Sequence, residues 1–314
     1  MKSLIIALLM IFLSACQKGE LIELGGVLIF SGGGTNGDIH QFNLDTMIKQ
    51  YKHDFFPYPE QIGVIQSLSI KNNDNILFST SYGEDNLYTF ERQSKKIKLV
   101  AKNGHASLFL PKHNKIAFWR YLPEKKYNAL FVADIDNIDN TKILIDKHNP
   151  PTINQPIAVS DDAFVFKSKR TGVKNTEGYI ETTVWQYNVK DKTLTRLPAL
   201  DHCDLLGVWI NKIKQIICSG LEGKKYKKYL TSLDGKRITP LSIPNDDGTY
   251  TPVLYIEKYN VLLFTKGRLS WFPFGERWDL WAYDFDTGKQ MMLIDNAHAS
   301  MNSVVWFEKI ISKR

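Results

Sequence analysis

Histidines, cysteines and one aromatic knot supply the chemically capable side chains of this 314-residue sequence. His105, His202 and His298 fall near the ends of three connections, and two share a local motif, His105-Ala106-Ser107 and His298-Ala299-Ser300. Imidazoles drawn to one place suit Zn or another transition ion. No HExxH spacing fixes such a geometry, so the plainer expectation is three separate hydrogen-bonding roles. Cys203 and Cys218 flank an expected hairpin, 205–210 and 213–218, turning near Asn211 and Lys212. Two outcomes stay open there, a disulfide or two buried thiols, because the register decides whether the Cα separation suits a bridge. Neither implies catalysis, since no CxxC spacing is present. The run Ser31-Gly32-Gly33-Gly34-Thr35-Asn36-Gly37 lacks the Gly-Lys-Ser/Thr ending of a phosphate loop, and no GxSxG elbow occurs. No resident cofactor is expected, a transition-metal ion at the three histidines being the alternative.

A further cysteine comes much earlier. Lys2 precedes an apolar run from Leu4 to Leu13, which leads into Leu13-Ser14-Ala15-Cys16. One cation, an apolar stretch too short to span a bilayer as a mature helix, and small residues before the cysteine make an export signal. Those last four residues resemble the lipobox of bacterial lipoprotein precursors. The resemblance implies cleavage of residues 1–15 as a signal peptide, a diacylglycerol thioether on the Cys16 sulfur and an acyl group, palmitate in type, on its new amine. Two or more acyl chains anchor stably where one binds reversibly. Gln17 is not the Asp associated with inner-membrane retention, so the expected location is the outer membrane, lipid-anchored on the periplasmic face.

Composition narrows the rest. With 43% hydrophobic and 12% aromatic residues the chain can pack throughout, and no later segment is long and apolar enough for a membrane helix. A net charge of +7 favours an anionic surface or ligand without choosing among them. Nucleic acid is not an expected partner, because no recognition motif is visible.

The elements that would position these residues repeat. Short β-rich runs end at Phe30, Phe78, Phe118, Phe166, Cys218 and Phe264, with spacings of 48, 40, 48, 52 and 46 residues. That is the period of a four-stranded propeller blade, at roughly 40–50 residues. Each run is followed by another strand and an Asp- or Gly-bearing turn, as at Asp45, Asp191, Asp234 and Asp286. The first unit begins directly at its second strand, while an unmatched arm at 302–307 and a short strand at 309–312 end the chain. Those pieces would complete the first sheet and protect its open edge. The expected fold is all-β: a six-bladed β-propeller of four-stranded antiparallel blades over 27–314, preceded by a lipidated tether over 16–26. Seven blades remain possible if the terminal pieces form their own.

The loops joining first to second strands include Leu110-Pro111-Lys112-His113-Asn114 and Ile256-Glu257-Lys258-Tyr259-Asn260. Pro111 and the scattered Asn and Asp are parts of a Ser-Pro-Asp-Gly signature, and the pattern resembles the TolB-like, WD40-like-repeat class of six-bladed propellers. That resemblance implies a protein-interaction scaffold.

Long insertions are expected between second and third strands, at 120–128, 167–182, 219–228 and 265–279, so that one face is elaborated. Lys125, Lys126, Lys167, Lys169 and Arg170 would give it positive charge. The stretch Leu269-Ser270-Trp271-Phe272-Pro273-Phe274-Gly275-Glu276-Arg277-Trp278 would offer a docking ridge or a satellite core. The partner-binding candidates are Trp271, Phe272, Phe274, Arg277, Trp278, Lys169 and Arg170. The leading expectation is a membrane-tethered, non-enzymatic module that binds an envelope protein or an anionic envelope ligand. A periplasmic hydrolase or lyase acting on an envelope polysaccharide or peptide is the alternative, and a solute sensor is a third reading.

Overall fold

The computed structural model describes residues 22, 24–31, 39–46, 54–56, 64–72, 75–81, 85–94, 96–145, 148–149, 155–174, 180–222, 225–243, 250–269, 276–295 and 304–308. Strand formation follows the short apolar runs. Leu28-Ile29-Phe30, Ile76-Leu77-Phe78, Ile116-Ala117-Phe118-Trp119, Phe164-Val165-Phe166 and Val261-Leu262-Leu263-Phe264 are all buried. A continuous apolar run of this length is what a strand covered on both faces requires.

Six sheets result. The first blade holds β1 (Val27–Ser31), β2 (Ile39–Asn43) and β3 (Asp54–Phe56). The second holds β4 (Val64–Ile70), β5 (Asn75–Ser81), β6 (Asn86–Glu91) and β7 (Lys96–Lys102). In the third are β8 (Gly104–Leu110), β9 (Lys115–Leu122), β10 (Tyr127–Asp134) and β11 (Asn137–Ile145). The fourth has a two-residue strand, β12 (His148–Asn149), then β13 (Ile157–Ser160), β14 (Ala163–Lys174), β15 (Ile180–Asn188) and β16 (Thr193–Arg196). The fifth comprises β17 (Leu205–Ile210), β18 (Gln215–Glu222), β19 (Lys225–Thr231) and β20 (Ile238–Pro240). The sixth comprises β21 (Tyr250–Ile256), β22 (Val261–Leu269), β23 (Glu276–Asp284) and β24 (Gln290–Ile294). Finally β25 (Val304–Phe307) pairs antiparallel with β1, Val27 opposite Phe307, and completes the first blade.

The innermost strands β25, β4, β8, β13, β17 and β21 touch in that order and back to β25, so the ring is closed with six blades. The arm expected at 302–307 is β25, and it joins the first sheet instead of starting a seventh. The strand expected at 309–312 and the glycine-rich turn at 32–37 lie outside the described residues. Five of the six inner pairs carry a register shift, for example between His105 and Leu108 and between Pro252 and Leu254. Such bulges raise local twist.

Packing is divided among the seams. Alternate residues of a second strand face opposite neighbours: Leu28 and Phe30 join a cluster with the sixth blade, Ile29 one with the second. Each of the six clusters draws its members chiefly from two adjacent blades. Burying one such Phe or Leu stabilises by about 1.5–3 kcal/mol, and the ring gathers this at every seam. Packing also begins earlier than expected. Ile22 and Leu24, placed by sequence in the lipidated tether over 16–26, are buried in the cluster shared by the first and sixth blades, and Trp306 donates its indole N–H to the Gly25 carbonyl at 2.9 Å. Apolar Ile and Leu at alternate positions of this segment find a surface to cover, which leaves residues 16–21 as the stretch before it.

Candidate functional site

The two faces of the ring are built differently. On one, the turns between first and second strands are short. Pro111–His113 and Glu257–Tyr259 form single 3-10 turns that end on Asn114 and Asn260 in the left-handed region, φ 50° and 53°. Asn tolerates that conformation better than most residues. The carbonyls of Asn114, Asp162 and Asn260 each accept the backbone N–H that follows a third strand, from Ile135, Val189 and Phe285 at 3.1, 2.7 and 3.1 Å.

Polar side chains on the same face bridge adjacent blades. Lys71 reaches Asp136 at 3.7 Å, and Lys112 and His113 reach Asp162 at 3.0 and 2.7 Å. Lys212 pairs with Asp286 at 3.1 Å, Asn211 donates to both oxygens of Glu257 at 2.8 and 2.9 Å, and Lys258 pairs with Glu308. In each case the cation or amide sits on the earlier blade and the carboxylate on the next one round. Hydrogen bonds from Lys112 and His113 hold the Asp162 carboxyl below its ordinary range, and those from Lys212 and Asn260 do the same for Asp286. Among the described residues no such ion pair bridges the fourth and fifth blades.

The opposite face projects. The stretches expected as loop insertions are mostly paired strand: β14 runs twelve residues, and β15, β22 and β23 nine each. Within the aromatic stretch Gly267 lies opposite Trp278, Arg268 opposite Arg277 and Leu269 opposite Glu276. Ladder hydrogen bonding overrides the loop-like composition there. Trp278 is half-buried, and a Cβ added at Gly267 would lie 3.3 Å from its ring, so the indole lies across its own sheet. Arg277 belongs to β23, while Trp271, Phe272 and Phe274 lie outside the described residues. Lys169 is half-buried opposite Asn149, and Arg170 lies opposite His148 in the β12 pairing. Lys125 and Lys126 are exposed at the tip between β9 and β10.

Lys167 departs from the expectation of an exposed cation, for it is 2% exposed. Along β14, Ala163 and Val165 face the seam with the fifth blade, and a two-residue period turns Lys167 the same way. Its ammonium donates to the carbonyls of Cys203 and Asp204, the latter at 3.0 Å. Burial lowers its pKa to about 8, against the opposing pull of Asp204 and Asp201. The period-two rule applied to Ala163-Phe164-Val165-Phe166-Lys167 was the sequence signal for this residue.

Cys203 and Cys218 form a disulfide with Cα atoms 5.3 Å apart, within the usual range for a bridge. Cys203 stands just before β17 and Cys218 in β18, so the bridge ties the connection entering the fifth blade to that blade's second strand. His105 and His202 have separate surroundings. His105 faces Asp85 at 3.8 Å, with burial pressing its pKa down and Asp85 opposing. His202 is exposed beside the disulfide, its Nε2 4.0 Å from each sulfur, and His298 lies outside the described residues. Cys16 lies outside them too.

At the hub, a cavity of about 320 Å³ is lined by inner strands and the residues flanking them, including Leu68, Leu108, Gln155, Val253, Glu257 and Val304. The Gln155 Oε1 is buried there without a hydrogen-bond partner.

No family model and no curated protein matches this sequence. Solved structures do match its fold. TolB from Acinetobacter baumannii superimposes with a TM-score of 0.64 at 14% identity, covering 90% of this chain and 67% of that one. A putative TolB from Agrobacterium tumefaciens gives 0.58 at 13% identity over 90% and 98% of the two chains. A chain of a nidogen/laminin complex gives 0.59 at 12% identity over 89% and 97%. These likenesses show a six-bladed propeller like those of TolB-like proteins.

Proposed function

We propose that this propeller is a lipid-tethered, non-enzymatic envelope module that recognises a protein or anionic ligand through its projecting face. One observation carries the reading: the second and third strands are prolonged on one face only, while the other face closes in short turns whose ionic side chains are paired blade to blade. Rigid hairpins on a closed ring present a surface at little ordering cost, as interaction scaffolds require. Exposed Lys125 and Lys126 add positive potential at one tip. A chain of similar fold occurs in a nidogen/laminin complex, which agrees with a partner-binding use of the architecture.

The chain entry supports an orientation. Gly25 and Gly26 meet Asp45, Tyr259 and Trp306, all on the face of short turns. A lipid on Cys16 would hold that face toward the outer membrane, since the five residues 17–21 reach at most about 18 Å when extended. The hairpins would then point into the periplasm toward a partner.

Photo-crosslinking in cells tests both statements. Photoreactive residues at 123–126, at 175–179 in the sequence between β14 and β15, and at 270–275 in the sequence between β22 and β23 are expected to give a discrete protein or glycolipid adduct, and residues at 112 and 212 are not. Adducts from the short-turn positions alone would overturn the reading.

A further inference from the structure

The disulfide and its neighbouring imidazole hold a second coordination chemistry. His202 Nε2 stands 4.0 Å from the sulfur of Cys203 and 4.0 Å from that of Cys218, and all three ligand atoms lie within 4.8 Å of one another. Tetrahedral Zn²⁺, with Zn–S near 2.3 Å and Zn–N near 2.0 Å, places its ligands roughly 3.6–3.8 Å apart. Two edges of the required triangle therefore already exist, and the third is the covalent bond between the sulfurs.

We propose that cleavage of this disulfide turns His202, Cys203 and Cys218 into a Zn²⁺ site of two thiolates and one imidazole. A dithiol reductant attacks one sulfur and leaves as its own disulfide. Two electrons pass to the protein sulfurs, each of which takes a proton. Zn²⁺ then displaces both protons as the thiolates bind. Two thiolates and one divalent ion sum to no net charge, as the disulfide does, so neither state places uncompensated charge in a position where both cysteines are 0% exposed.

The surroundings hold the ligand residues in place. Lys167 donates from the fourth blade to the carbonyls of Cys203 and Asp204. The same bonds keep the connection fixed when the covalent link is gone. Asp204 accepts a second anchor, its N–H donating to the Ser219 carbonyl at 2.7 Å. His202 and Asp204 are exposed on either side of the buried Cys203, so the imidazole meets the sulfurs from the surface side.

Co²⁺ serves as the spectroscopic probe. Protein reduced with a phosphine and freed of metal is titrated with Co²⁺ while far-ultraviolet circular dichroism follows the fold. The expected result is one Co²⁺ per chain, with thiolate-to-cobalt charge-transfer and tetrahedral d–d bands, displaced by Zn²⁺. Oxidised protein should show none of these bands. His202→Ala should keep the fold and bind at least about tenfold more weakly. Reduced protein that binds no more Co²⁺ than the Cys203→Ser/Cys218→Ser variant would overturn the proposal. So would unchanged affinity in His202→Ala, or loss of the β signal on reduction, because the site is a property of the folded fifth blade.

Discussion

Lys71 and Lys167 are both lysines that reach from one blade toward the next, and they work in opposite media. Lys71 meets Asp136 at 3.7 Å across the rim, where the carboxylate is 71% exposed. Lys167 is 2% exposed and meets two backbone carbonyls of the connection into the fifth blade. The first contact is screened by water and salt and contributes little. The second has no water to compete with it, and its ammonium carries a desolvation cost that shows in a lowered pKa. Lys167 of the fourth blade thus holds the connection into the fifth by buried contacts on the projecting face, and the disulfide ties that connection to the fifth blade's second strand. Lys71, Lys112, Lys212 and Lys258 bridge their seams by surface ions on the opposite face. A ring of near-equivalent blades can hence contain one seam whose strength responds to redox state and alkaline pH, among others that respond to salt.

The contrast should appear most strongly at the disulfide. Replacing both cysteines by Ser is expected to cost about 3 kcal/mol, the loop-closure value for a link between residues 15 apart, seen as a lower urea midpoint. An equal loss from Lys71→Ala would break the comparison. Lys167 sharpens it through pH. Its folded pKa of about 8 lies below the ordinary 10.5, so between these values the unfolded chain binds a proton that the folded chain has lost. Stability therefore climbs with pH across that window, by at most about 3 kcal/mol. Lys167→Met should flatten the climb, and urea midpoints measured across the window would register an unchanged slope as failure. The smallest effect belongs to the rim. Asn260→Ala puts an ordinary residue at φ 53° and removes bonds to Tyr255 and Asp286, for an expected loss of about 1–2 kcal/mol in thermal or urea unfolding. A loss greater than that from removing the disulfide would reverse the ranking of the two kinds of seam.

Much of the architecture was readable because the blade period is written in fully buried residues. Phe30, Phe78, Phe118, Phe166, Cys218 and Phe264 recur at blade spacing because each second strand is covered on both sides. The split first blade was readable from its missing inner strand. The hairpins were not, because Lys266-Gly267-Arg268 and Glu276-Arg277-Trp278 have loop-like composition and become strand only through pairing with each other. Rim pairs were hidden for another reason: Lys112 and Asp162 are 50 residues apart, and Lys212 and Asp286 are 74 apart, among many similar polar turns. Position in a connection does not fix where a histidine side chain points. His105 turns to Asp85 and His202 to the disulfide. Lys167 could have been found, since its charge breaks an apolar alternation without shifting its phase.

Closure by β25 also sets an order in time. The Trp306 indole reaches Gly25 across 281 residues of sequence, and β1 lacks its inner neighbour until the last strand is made. At roughly 5–20 residues per second, synthesis leaves that first blade incomplete for about 14–56 seconds. The earliest part of the chain to emerge is consequently the last to be finished. A ring latched in this way is closed only when β25 has joined β1.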